Sequence, residues 1–192
     1  GMLARLQHYS RVFTTLRKKT EEAAQDPAVP EEVIGRSWEI LARIAVTADL
    51  APRDTERAFQ RALHFAPHEV NLWAAYTQFA RAQGDMAALY ATIQDVAATA
   101  SRDDPAVRVL QAVASAQDPA QGGIMEAAGT LRRTLPPDAD DETIRMYGWA
   151  AGLLLEEFQS KPTDSPEAAV TLVELASVFH AIKSYQNAIN LC

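Results

Sequence analysis

Four histidines and two acidic stretches are the residues best suited to chemistry in this chain. His64 and His68 stand four apart, a spacing at which two imidazoles on one helix face can share a metal ion, and Glu69 follows. Pro67 falls between them and interrupts the helix, so the pair reads as a helix end. "HEVNL" from His68 also lacks the second histidine of a zinc-protease helix. His180 follows Phe179 and reads as a surface residue, with a groove-facing position as the other choice. Asp138, Asp140, Asp141 and Glu142 crowd together, but a calcium loop needs regular alternation and a glycine, which "DADDE" does not have. Capping of the following helix accounts for that cluster. Glu156 and Glu157 are adjacent, so on a helix they project about 100° apart, a poor start for a catalytic carboxylate pair. Gly122-Gly123 has no phosphate-loop lysine after it, and no serine sits in a nucleophile elbow. These residues lead us to expect no catalytic site, no cofactor and no metal, hence a protein that is not an enzyme.

The bulk numbers point the same way. The 192 residues are 48% hydrophobic and 22% charged, which fits one globular domain or one short repeat array rather than a disordered chain. The longest apolar run, "WAAGLLL" from Trp149 to Leu155, falls well short of the ~18 residues a membrane helix needs. Cys192 is the only cysteine, which excludes a disulfide framework or a cysteine zinc site and suggests a reducing, cytoplasmic compartment. The net charge is −7, yet residues 1–19 carry +5 (Arg5, Arg11, Arg17, Lys18, Lys19) and no acid, leaving −12 on the rest. An acidic body argues against direct nucleic-acid binding. The basic, acid-free start has Leu3, Leu6, Phe13 and Leu16 at helical spacing and fits a first helix packed on the body; a mitochondrial presequence is the alternative.

Such chemistry as exists must therefore be carried by helices. Strand-like alternation is missing, and Ala-rich segments with apolar residues three and four apart follow one another, so the expected fold class is all-α, in about nine or ten helices. The first covers about 2–25. Pro30 opens the second, whose apolar stripe is Val33, Trp38, Leu41, Ala42, Ala45 and Val46. Asp54 is placed to cap "TERAFQRALHF", which Pro67 ends. Next come "VNLWAAYTQFARAQ" and, after Gly84-Asp85, a helix from Met86 to Thr99. Further helices are expected at about 105–116, 124–135, 142–159 and 167–182, with a last one starting at Tyr185.

Laying the chain on itself with a shift of 34 puts Phe59 on Ile93, Ala62 on Val96, Leu63 on Ala97, Trp73 on Val107, Tyr76 on Leu110 and Ala80 on Ala114. A fixed shift that keeps apolar on apolar marks stacked helix hairpins. Trp73, Tyr76, Thr77 and Ala80, then Leu89 and Ile93, with Phe59 and Pro67 closing the preceding unit, are similar to the tetratricopeptide repeat pattern of W-x2-L-G-x2-Y, A-x3-F and P. Near the end, Leu172, Leu175, Ala176, Phe179, Tyr185 and Ala188 fit it better still. The cluster of Trp73, Tyr76 and Phe79 is also similar to the half-a-TPR variety associated with RNA-processing scaffolds. In this register Ala75, Thr77 and Ala80 let hairpin helices approach, Gly84 ends a helix in the left-handed conformation and Asp85 caps the next. Pairing within about 116–168 stays open.

The resemblance implies an α-α superhelix of stacked helix pairs over 1–192. It would have a basic helix at 1–30, repeats at 31–135 and diverged repeats at 136–192, the last lacking part of its second helix. That edge suggests either a piece of a longer protein or an edge covered by another subunit, in a homo-oligomer or larger assembly. The resemblance also implies a concave groove lined by the first helix of each unit. Carried over, this gives Ile40, Ile44, Asn71, Gln78, Arg81, Arg108, Ser177 and His180 as partner-binding residues, with Ala112 and Ser115 beside them. The lysine-asparagine clamp of chaperone-binding members is replaced by Ile40, Ile44, Ala75, Pro105 and Val109, so a chaperone-tail ligand is not expected. The expected function is a non-catalytic interaction module or adaptor. Its partner would be a peptide or protein with apolar anchors and an acidic residue to meet Arg81 and Arg108. An RNA-processing scaffold and a helical enzyme with an unrecognised site are the alternatives.

Overall fold

A computed structural model describes residues 2–101, 104–118, 120, 122–160 and 166–183, with only the backbone described for 2–6 and 166. The described residues form nine helices and no strand. These are α1 (Met2–Ala23), α2 (Glu31–Thr47), α3 (Pro52–Phe65), α4 (Val70–Gln83), α5 (Met86–Thr99), α6 (Pro105–Ser115), α7 (Gly123–Thr134), α8 (Asp141–Gln159) and α9 (Pro166–Ala181). The expected helix from Tyr185, and the matches at Tyr185 and Ala188, lie outside the described residues. Among the described residues no helix is long and apolar enough to cross a membrane. Two compact units divide the chain, Gly1–Thr92 and Ile93–Cys192, with the boundary inside α5.

In the first unit α1 packs on α2, α2 packs most extensively on α3, and α3 packs on α4. Proline opens both α2 and α3, as its fixed φ favours. The face α2 buries holds Ile34, Gly35, Trp38, Leu41, Ala42 and Ala45. Two residues expected on that stripe are not there: Val33 is 52% and Val46 49% exposed. At 100° per residue Val33 sits across the helix from Trp38, so the true stripe runs through Ile34 instead. Gly35 lets α3 approach closely, since a Cβ there would lie 2.8 Å from the Phe65 Cβ.

Asp54 does not cap α3. The N-cap is Ala51, and Asp54, one turn in, accepts a 2.8 Å bond from Arg17 of α1. Trp73 and Tyr76 are fully buried; Tyr76 stacks on Phe59 with centroids 5.0 Å apart. α4 ends at Gly84 with φ +69, and Asp85 then accepts from the Ala88 N–H at 3.1 Å, the stop-and-cap expected of that pair. Thr77 and Ala80 are buried as expected for a close helix contact, but Ala75 is exposed.

In the second unit α6 packs on α7 and α8, and α7 packs on α8 and most extensively on α9, which also packs on α8. That settles the packing of the helix at 142–159. Asp104 caps α6 and Asp140 caps α8, taking the Thr143 N–H at 2.8 Å, so the "DADDE" acids do serve a helix start. Asp140 is held below the usual carboxylate range by its bonds to Thr143. Arg132 of α7 reaches Glu174 of α9 at 2.7 Å, and the Tyr147 hydroxyl donates to Thr134 Oγ1 at 3.0 Å. Ala112, expected on a groove face, is buried.

Candidate binding surface

The first unit contains a cleft of about 580 Å³. Its walls are built by three segments. The end of α2 supplies Ala45 and Val46, the turn into α3 supplies Asp49, Leu50, Ala51 and Pro52, and the outer side of α4 supplies Ala75, Gln78, Phe79 and Ala82. The space exists because the facing positions are small: Ala45, Ala51, Ala75 and Ala82 leave room that larger side chains would fill. The turn itself is tight, with Asp49 at φ +49, a left-handed conformation that aspartate tolerates better than most residues. Val46 and Phe79 make the wall apolar, while Asp49, Gln78 and Gln83 put polar groups at exposed positions. An apolar hollow with a few polar groups around it is the usual form of a ligand or peptide-anchor site.

A smaller hollow of about 40 Å³ adjoins it and shares Pro52, Phe79 and Gln83, adding Glu56, Tyr76 and Asp85. That is space for about one water, so it extends the same recess rather than forming a second site. Behind it, burial pushes the Tyr76 phenol above its usual range. Its bond to Thr92 opposes the rise, Glu56 adds to it, Gln60 opposes it and Asp85 adds to it.

The expected groove residues are distributed as follows. Gln78 lines the cleft. Asn71 and Arg81 are exposed on α4 outside the lining. Ile40, 49% exposed, and the half-buried Ile44 continue the Val33 stripe on the outer side of α2 rather than entering the cleft. In the second unit Arg108 is exposed on α6; burial raises the Tyr147 phenol, and its bond to Thr134 and then the Arg108 charge oppose the rise. Ser177 turns its hydroxyl back to the Val173 carbonyl at 2.7 Å, and His180 is exposed in the last turn of α9.

Val46, Asp49 and Phe79 are cleft residues that sequence reasoning did not assign to a site. A run of small residues around a turn, "TADLAP", was the available signal. Among the described residues no group of three or more His, Cys, Asp and Glu comes together as a metal site would require. His64 lies in the last turn of α3 and His68 in the turn beyond Pro67. Comparison with family models, with curated proteins and with solved structures gives no match to this chain.

Proposed function

We propose that this chain is a non-catalytic protein-interaction module that seats a segment of its partner in the cleft between the end of α2 and the outer side of α4. The observation that carries this reading is the cleft itself: about 580 Å³ of open space walled by Val46, Leu50 and Phe79 and bordered by Gln78. Its size falls in the ~300–1,000 Å³ range of sites that enclose small ligands or anchor side chains. The titratable groups with displaced pKa values suit this better than catalysis. Tyr76 and Tyr147 are shifted first of all by burial, and Asp140 by its capping bonds.

A tetratricopeptide-like superhelix is part of the proposal. Residues matched by the shift of 34 play matching roles within each unit: Phe59, Ala62, Trp73 and Tyr76 are buried in the first, and Ile93, Val96, Val107 and Leu110 in the second. Within the second unit α6 packs on α7 and α8, α7 on α8 and α9, and α8 on α9, the neighbour pattern of stacked hairpins. The RNA-scaffold alternative draws on the Trp73, Tyr76 and Phe79 cluster alone; Trp73 and Tyr76 are fully buried, Tyr76 against Phe59, which leaves Phe79 as the one ring of the three that reaches an open surface.

The test is affinity capture with the wild type and an Ala75→Trp variant, followed by a dissociation constant for whatever is captured. Tryptophan at this exposed lining position fills the cleft without altering charge. The proposal expects equal helical circular dichroism and at least a tenfold loss of affinity; unchanged affinity moves the interface elsewhere.

A further inference from the structure

The side chains that line the recess carry charge of one sign. Asp49 borders the main cleft, Glu56 and Asp85 line its extension, and neither lining contains a lysine, arginine or histidine. Two arginines of the helices that build the recess are paired elsewhere: Arg43 of α2 with Glu39 at 2.7 Å, and Arg57 of α3 with Glu21 at 3.2 Å. Arg53 and Arg81 adjoin lining residues in sequence without lining the recess. Asp85 caps α5, which offsets part of its charge, and Gln60 donates to Glu56 at 3.0 Å; both carboxylates still act on Tyr76. The acids lie at the border of an apolar hollow whose low-dielectric wall strengthens their field.

Resting on the reading of the cleft as the binding site, we propose that its occupant is a basic amphipathic peptide segment. An apolar side chain would enter against Val46 and Phe79, and a neighbouring lysine or arginine would meet Asp49 and Glu56. This differs from the acidic partner expected from Arg81 and Arg108, neither of which lines the recess. The two halves of the recognition have separate roles. The apolar contact supplies most of the affinity, and the rim charges select the sign of the partner and speed its approach.

The experiment is an amide-resolved NMR titration of the full chain with three synthetic peptides: an amphipathic Leu–Lys peptide, the same peptide with Glu for Lys, and a Gly–Lys peptide. The proposal expects the Leu–Lys peptide alone to shift the Ala75, Gln78 and Ala82 signals, and Ala75→Trp to abolish the shifts. An Asp49→Asn, Glu56→Gln variant is expected to bind about fivefold more weakly, as two partly exposed charges would give. Asparagine suits the left-handed backbone at residue 49, so this variant keeps the turn. Equal binding of the Leu–Glu peptide at the same amides overturns the charge selection and leaves the cleft as a binding site. Shifts as large with the Gly–Lys peptide overturn the apolar seat. If none of the three moves these amides, both the inference and the cleft reading fall.

Discussion

The Trp73 indole N–H donates to the Pro67 carbonyl at 2.9 Å, joining α4 to the turn that precedes it. Both residues are buried, so the bond is made away from water. It explains why a tryptophan suits this place better than another large apolar residue: it fills the space and satisfies a carbonyl that the proline turn leaves inside.

Trp73→Phe is therefore expected to lose about 2–4 kcal/mol of stability, from the lost buried volume and the carbonyl left without its donor. Urea denaturation measures this. A loss under about 0.5 kcal/mol would mean that the site relaxes around both defects.

Two glycines should respond in opposite directions. Gly35→Ala places a Cβ 2.8 Å from the Phe65 Cβ, forcing α2 and α3 apart, and is expected to cost about 1–3 kcal/mol despite alanine's better helix propensity. At Gly152, inside α8, a new Cβ meets nothing within 4 Å, so Gly152→Ala should stabilise by up to about 1 kcal/mol. Thermal melts of the two variants check both signs.

The basic start of the chain is tied down by charge. Arg17 of α1 meets Asp54 at 2.8 Å, and Glu21 meets Arg57 at 3.2 Å, with all four side chains partly exposed. A double-mutant cycle on Arg17 and Asp54 should give a coupling of about 0.2–1 kcal/mol that shrinks with added salt. A salt-independent coupling would mean that the pair is more shielded from solvent than its exposure indicates.

The alkaline limit of stability should carry a tyrosine signature. Burial raises Tyr76 and Tyr147 above the ordinary value of 10.0, so the folded state keeps protons that the unfolded chain releases. Their contribution is whole below about pH 10 and is lost as pH climbs through the folded pKa values. Denaturation midpoints should fall in that range, and less steeply in a Tyr76→Phe, Tyr147→Phe variant. An equal slope would locate the alkaline transition in other groups.

Much of the helical organisation was legible in the residues, because Pro30, Pro67, Gly84-Asp85 and "DADDE" are local signals that act on their own segments. The core positions of α4 followed from spacing in the same way. Asp54 does not take the cap that its residue type suggests, because Pro52 at the first helical position sets the start of α3 at Ala51. Val33 and Val46 depart from the stripe that spacing predicts, because valine is apolar wherever it stands, while the face buried by α2 is decided by where α3 crosses it. Of the cleft, only the small-residue turn "TADLAP" is a local signal; the space itself depends on the approach of α4 to the end of α2, a relation between segments that no local pattern encodes. Of the groove residues carried over by resemblance, Gln78 lies where the space is.

The most direct measurement is side-chain NMR of the chain with its captured partner added, following the Gln78 amide and the Val46 methyl groups. These signals are expected to move and saturate together, while the exposed Val170 and Val173 of α9 stay in place. Movement at Val170 and Val173 with Gln78 and Val46 unmoved would contradict it and assign the interface to the second unit.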